Sequence, residues 1–509
     1  MLVDTQYLTN SKKLVVSYVD KNGDIKLKYY DWEHPMKYVK CEDTDPQKHP
    51  IYRSWDKHAV KQIEVNIPDR YAIYEFLDAL PEDEKNEIYE YNLPKIYMID
   101  IETQVLDGFP EAADIKDENG NIIKEGAATS VLSISIVYDD KIILLGLKDL
   151  SEEAQARILE KTNKYFDKYP TTYKLKYVKY DDEFDMLYNF FYKMIPKMPL
   201  MVGWNFLKYD WVYLVNRSRK LRKTINGKEY KIDPAISSPT KKISKVWGTE
   251  FEIPIHRMVF DYMQLYEICD TSIKVKESSS LDFVSEKLVG VTKIKYNGSL
   301  QKLYEDDFEK YMYYNAVDSV LVQKIHEARN YISIIYAISS LSRIRIVDVI
   351  SQMNSALGSL AITEGVLRNR FREMDNVVLF KDETRTKDES TISGGFVKDP
   401  IVGMNRYTTI YDFSSLYPSV ERQFFISPEN YIGIKSDSNP DRCTNGALID
   451  LNKHVVCVNG CVFEKRRSPT IAMLEDVYAD RKVAKKKMIA KKEEYEEILR
   501  EIKKLEDSL

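Results

Sequence analysis

Ile96-Tyr97-Met98-Ile99-Asp100-Ile101-Glu102-Thr103 decides how the rest of the chain is read. An apolar run ends in two carboxylates separated by one residue. In a strand, residues i and i+2 point to the same face, so Asp100 and Glu102 converge on one spot at the end of a hydrophobic element. Paired oxygen ligands on such an element are what divalent metal ions need from their first protein contacts. A D-x-E pair also arises as a solvated surface charge, so its weight depends on acids further along the chain.

Two later carboxylates can join it. Gly203-Trp204-Asn205-Phe206-Leu207-Lys208-Tyr209-Asp210 runs from a short buried strand, residues 200 to 203, into the start of a helix, which puts Asp210 at an element junction. Tyr314-Asn315-Ala316-Val317-Asp318 lies within a helical stretch, residues 305 to 328. The i, i+4 spacing there places the Tyr314 hydroxyl and the Asp318 carboxylate on one face. Four carboxylates from separate elements can hold two metal ions about 3.5–4 Å apart, one activating a water and the other stabilising a departing 3′ oxygen. Tyr314 would orient that water without acting as a base at its ordinary pKa.

A second constellation lies in Thr408-Thr409-Ile410-Tyr411-Asp412-Phe413-Ser414-Ser415-Leu416-Tyr417-Pro418-Ser419. The β-branched run predicts a strand that delivers Asp412 at its end, followed by a turn into a helix. Asp412 can hold metal ions against a nucleoside triphosphate, while N–H groups of Ser414, Ser415 and Leu416 face its phosphates. The Tyr417 ring beneath the sugar would leave no room for a 2′-hydroxyl.

D-I-E, G-W-N-x-x-x-Y-D and Y-N-x-x-D resemble the three exonuclease motifs of the family B DNA polymerases, and D-F-S-S-L-Y-P-S resembles their first polymerase motif. Tyr209 stands where the family more often has Phe. The resemblance implies that Asp100, Glu102, Asp210 and Asp318 are metal ligands of a ribonuclease-H-like 3′→5′ proofreading domain. It also implies Mg²⁺, or Mn²⁺, in two-metal sites that include Asp412. Phe109 follows the first motif at a distance suited to stacking on an unpaired base, with core packing as the other reading. Asn205 is assigned to the same DNA-facing set. Residues 245 to 252 around Gly248 are read as a strand-separating hairpin or an ordinary surface hairpin.

Ser393-Gly394-Gly395-Phe396-Val397 resembles the family's link between its two activities, where Gly394 and Gly395 let backbone approach a DNA phosphate. Cys457-Val458-Asn459-Gly460 resembles a palm hairpin of T-even-type phage polymerases. Cys443, His454, Cys457 and Cys461 also invite a zinc reading, which their irregular spacing and the Asn459-Gly460 turn oppose. Arg481 and Lys485 share a face of the last helix and occupy, by resemblance, the positions that grip an incoming triphosphate. The neighbouring lysines make a solvated basic face the competing reading.

Bulk properties narrow the classes further. At 509 residues the size prior is about three or four domains. A net charge of −5 excludes a uniformly basic surface but not a basic groove beside acidic clusters. Five scattered cysteines argue against a disulfide framework and for a reducing compartment. No signal sequence and no run of ~18 apolar residues is present, so a soluble, cytoplasmic protein without a membrane partner is expected.

The fold expected is multidomain, α/β and α+β. It comprises an N-terminal domain at 1–93 completed by about 331–375, an exonuclease domain at 94–330, a partial palm at 376–467 and the first part of the fingers at 468–509. Neither K…N-S-x-Y-G nor D-T-D follows Asp412. The expectation is therefore the N-terminal portion of a viral replicative polymerase, split or truncated, that polymerises only with a C-terminal half. Expected partners are primer-template DNA, deoxynucleoside triphosphates, that second half, a sliding clamp and other replisome proteins. A free-standing exonuclease and a non-catalytic nucleic-acid-binding remnant are the alternatives.

Overall fold

The computed structural model describes residues 1–42, 51–55, 57–106, 108–245, 251–270, 277–352, 356–379, 398–399, 401–404 and 406–506. Two compact units result, Met1–Glu33 with Ile73–Ile362, and His34–Ala72 with Thr363–Leu509. The segment 1–93 is thus divided between them.

The first unit opens with an antiparallel meander of Leu2–Leu8, Lys13–Val19 and Ile25–Asp31. Its second turn carries the Asn22-Gly23 pair, with Gly23 at a φ of 76° that glycine adopts without strain. The main feature is a six-stranded sheet built from β1 (Ile96–Thr103), β2 (Val131–Tyr138), β3 (Lys141–Gly146), β4 (Lys174–Lys179), β5 (Leu200–Gly203) and β6 (Met258–Asp261). Strand order is β4-β3-β2-β1-β5-β6, and β2 runs antiparallel to both its neighbours while the other pairs are parallel. This is the mixed α/β sheet expected of a ribonuclease-H-like exonuclease domain.

Alternation along β1 sorts its side chains between two cores. Ile99 and Ile101 pack with Ile134, Ile136 and the fully buried Trp211 on one face. Met98 packs with Val317, Val320 and Leu321 on the other. Asp100 and Glu102 share the parity of Met98, so both carboxylates leave the sheet on this second face. The helices that matter to the site are α1 (Asp210–Lys220), α2 (Tyr262–Cys269) and α3 (Phe308–Arg329). Every residue of α3 from Tyr311 to Ile325 is buried, the mark of a helix enclosed on all sides. Each large apolar side chain removed from water there contributes about 1.5–3 kcal/mol.

In the second unit, Val377–Val378, Tyr52–Ser54, Ala59–Glu64 and Met36–Lys40 form one sheet in that order. Tyr431–Ile434, Cys461–Glu464 and His454–Val456 form another, with the expected hairpin at Asn459-Gly460. Two helices agree with the sequence reading, α4 (Leu416–Phe424) and the 38-residue α5 (Pro469–Glu506). One local expectation fails: residues 408–413 form no strand. A strand needs a ladder partner, and the described strands of this unit pair among themselves instead. No helix among the described residues is long and apolar enough to cross a membrane.

Candidate active site

Asp100 and Glu102 on β1 and Asp318 on α3 present carboxylate oxygens that all lie within 4.8 Å of one another. Glu102 and Asp318 are buried and Asp100 is partly so. Asp210 stands beside this trio, at the first residue of α1, with its Oδ1 accepting from the Ile101 N–H at 3.1 Å. Three of the four predicted ligands thus meet directly. The fourth is tied to the strand between the first two.

The turn that places Asp210 is tightly constrained. A Cβ on Gly203 would come within 2.4 Å of the Ile99 carbonyl oxygen, so β5 can pass into the turn only with glycine there. Asn205 takes a φ of 61°, a left-handed conformation asparagine tolerates. Its N–H donates to Asp261 Oδ1 at 3.1 Å, and the Leu207 N–H donates to Asp261 Oδ2 at 3.3 Å. Asp261 also caps α2 through the Met263 N–H, so one buried carboxylate joins the turn to a helix end. Arg217 fixes the other end of α1 by pairing with the buried Glu183 through Nε at 2.9 Å and Nη2 at 2.7 Å. Neither Asp261 nor Glu183 belongs to a motif legible in the sequence.

Charge crowding governs the electrostatics. Burial, then the charges of Glu102, Asp210 and Asp318, raises the Asp100 carboxyl well above the usual range. Burial and the Asp318 charge push Glu102 up to about 8. Burial also pushes Asp210 up to about 7, against the stabilising Ile101 N–H. Lys293, which the sequence reading missed, places Nζ 2.6 Å from Asp318 Oδ2 and 5.0 Å from the Tyr314 ring centroid. Burial opposes its charge, but Asp318, Tyr314 and Asp100 together outweigh this and hold the ammonium protonated. It lies in Val291-Thr292-Lys293-Ile294-Lys295-Tyr296, an irregular segment with no motif to announce it.

The donor set fits hard divalent cations. All ligand atoms are carboxylate oxygens, and Asp318 Oδ1 is buried without a hydrogen-bond partner, an acceptor whose burial a cation would compensate. Tyr314, one turn before Asp318, is buried, and burial followed by the Asp318 charge raises its phenol above the ordinary value. It can therefore orient a water but not deprotonate one.

Phe109 is 66% exposed, which removes the core-packing reading. Its ring centroid lies 4.9 Å from that of Tyr209, whose Oη is 3.1 Å from Thr103 Oγ1. The two rings and the carboxylates are thereby linked through β1. Ile243–Lys245 pairs antiparallel with Glu252–Pro254, while the turn expected around Gly248, residues 246–250, lies outside the described residues.

In the second unit, Asp412, Ser414, Leu416 and Tyr417 are exposed. Ser415, at a φ of 53°, precedes α4, and Arg481 Nη1 donates to its Oγ at 3.1 Å. The structure therefore brings Arg481 to the turn after Asp412. Lys485 is an exposed residue of α5. Gly394 and Gly395 lie outside the described residues. All five cysteines are free, and His454 Nδ1 accepts the Asp450 N–H at 3.1 Å. The one metal-holding group among the described residues is Asp100, Glu102 and Asp318, so the zinc reading gains nothing.

Comparison with known proteins gives two family matches. Residues 35–284 match the exonuclease domain of DNA polymerase family B, and residues 358–505 match DNA polymerase family B itself. The chain is similar to the DNA-directed DNA polymerase of Escherichia phage RB69, 26% identical over 444 residues, covering 82% of this chain and 46% of the relative. It is also 26% identical over 333 residues to the DNA-directed DNA polymerase of Enterobacteria phage T4, covering 64% and 35% respectively. A DNA polymerase of Thermococcus gorgonarius is 24% identical, covering 96% of this chain and 61% of the relative. The chain spans about half the length, or less, of the two phage relatives.

Proposed function

Because the chain belongs to the family B DNA polymerases, we propose that its first unit excises nucleotides from the 3′ end of DNA in a divalent-metal-dependent, proofreading reaction. One observation carries this reading: three carboxylates from a strand and a helix share a buried spot, with Asp210 beside them. Asp100, Glu102, Asp210 and Asp318 would hold Mg²⁺, or Mn²⁺. Cations bound there would supply a polarised water and charge stabilisation for the departing 3′ oxygen. Tyr314 orients the water, Lys293 neutralises Asp318 and adds positive charge near the scissile phosphate, and Phe109 stacks on the frayed base.

The domain boundaries we assign are an exonuclease at 94–330, a partial palm at 376–467, the first part of the fingers at 468–509, and an N-terminal domain at 1–93 with about 331–375. Synthesis would use Asp412 for metal, Ser414, Ser415, Leu416 and Arg481 for the triphosphate, and Tyr417 against the 2′ position. In this reading synthesis takes place only together with a C-terminal half that supplies the remaining palm carboxylate. Primer-template DNA and deoxynucleoside triphosphates are the substrates. A sliding clamp and other replisome proteins are the further partners, in viral replication within the host cytoplasm.

The test is a 5′-labelled single strand incubated with the chain and Mg²⁺, beside Asp100→Ala with Glu102→Ala. Stepwise shortening abolished by the double substitution supports the reading. Shortening that persists in the double variant contradicts it.

A further inference from the structure

Behind the carboxylates lies a buried polar seam that the excision reading does not use. The antiparallel register sets Ser133 opposite Glu102 and Ser135 opposite Asp100, so both serines share the carboxylates' face of the sheet. Facing them, α3 presents Tyr311, Asn315 and Ser319 at four-residue spacing, all buried. Ser133, Ser135, Asn315 and Ser319 have no exposed surface at all. A helix packed on a sheet normally does so through apolar side chains. A buried polar group left without a partner costs about 1–3 kcal/mol, so this seam is retained against an energetic penalty. At its centre runs a directional chain: Ser133 Oγ donates to Asn315 Oδ1 at 3.0 Å, and Asn315 Nδ2 donates to Asp100 Oδ2 at 2.7 Å.

We infer that Asn315 is a positioning residue for the metal centre, holding the Asp100 carboxylate in place while Ser133 orients its amide. The inference rests on the excision reading of the same site. The amide has one orientation compatible with its neighbours. A carboxylate holding a metal ion would be ionised and could only accept, so Nδ2 faces Asp100, as observed, which leaves Oδ1 to accept from a hydroxyl. Ser133 is that hydroxyl, and its small side chain leaves room for the amide between strand and helix. Asp100 stands among Glu102, Asp210 and Asp318, whose negative charges would repel its ionised carboxylate. A neutral donor anchored in the core opposes that displacement without adding a charge that would compete with metal. It also fixes the plane of the carboxylate, hence the direction of its lone pairs. Hydrogen-bond partners that orient metal-ligating groups typically set affinity by ~10–100-fold.

The experiment is a Mn²⁺ binding isotherm, read by electron paramagnetic resonance of free Mn²⁺, on the full chain. The proteins are wild type, Asp100→Ala with Glu102→Ala, Asn315→Leu and Ser133→Ala, each with a melting temperature. Asn315→Leu preserves size and removes both hydrogen bonds. It is expected to weaken Mn²⁺ binding about tenfold or more while excision at saturating Mn²⁺ stays within about threefold. Ser133→Ala, which leaves the donor but loosens the amide, is expected to weaken binding about threefold, in the same direction. A wild-type isotherm in Asn315→Leu, whether or not its melting temperature falls, overturns the inference and leaves a packing role only. Should Asn315→Leu fail to fold, an unchanged isotherm in Ser133→Ala overturns it instead. Wild-type binding that survives the double carboxylate substitution sinks the excision reading at this site, and the inference with it.

Discussion

The two carboxylate-bearing segments of this chain are built in opposite ways. Around Asp100 the backbone is a central strand paired on both sides, its acids buried against a fully enclosed helix. Around Asp412 the backbone belongs to no strand and the side chains from Tyr411 to Ser414 are exposed. Both segments come from apolar or β-branched runs ending in an acid, so local sequence alone does not separate them. What separates them is strand pairing, since the first segment has ladder partners on both sides and the second has none among the described residues. The first site is assembled by the chain's own strands. Around the second, the Ser415–Arg481 contact lies after Asp412, and no set of acids gathers there among the described residues.

The sharpest break in that comparison is at the acids themselves. Asp100→Ala with Glu102→Ala is expected to lower excision by at least ~10³-fold, since several kcal/mol of transition-state charge stabilisation goes with the metal ions. Asp412→Ala is expected to leave excision within about twofold. Single-turnover rates on labelled single strands measure both. Next comes Gly203→Ala, whose methyl would meet the Ile99 carbonyl at 2.4 Å. A loss of about 2–3 kcal/mol from overpacking is expected, with a falling melting temperature and excision reduced through the displaced Asp210.

A third expectation comes from protonation. Glu102 and Asp210 titrate at about 8 and about 7 when folded, above the ordinary carboxylate range. At these two groups the native state therefore holds more protons than the unfolded chain between about pH 4 and 8, and the stability they contribute is lost as pH rises through that window, against the opposite contribution of the buried Met1 ammonium and His326. Metal-free protein should melt higher at pH 5 than at pH 8. Mg²⁺ should raise the melting temperature by a few degrees at pH 8 and much less at pH 5, readable by calorimetry. An equal gain at both pH values would mean that metal does not relieve these charges. The smallest effect is at Phe109. Replacing it with Ala should weaken single-strand binding by about 1–3 kcal/mol at most, without moving the melting temperature, as a fluorescence titration would register.

Much of the first site was legible in the sequence because its acids sit at element ends that local pattern reveals. The apolar run before Asp100, the Gly203 turn before Asp210 and the helical spacing around Asp318 each point to one place. Lys293 and Asp261 were not legible, since one lies in irregular backbone and the other reads as an ordinary cap until the turn at Asn205 is seen folded onto it. The role of Asn315 was hidden inside its own motif, because only the register of β2 shows Ser133 behind it. At Thr408-Thr409-Ile410 the failure had a different cause. β-propensity predicts a strand, but a strand forms only when a neighbouring strand supplies the other half of its hydrogen bonds.

The most direct test of the contrast uses a 5′-labelled primer on a longer template, with Mg²⁺ and all four deoxynucleoside triphosphates, comparing wild type with Asp412→Ala. Primers that shorten equally in both proteins, with no longer products, are the expected result, because the described residues gather metal-holding acids at the first segment and none around Asp412. Extension by wild type that disappears in Asp412→Ala would contradict it, since the second site would then assemble from this chain alone.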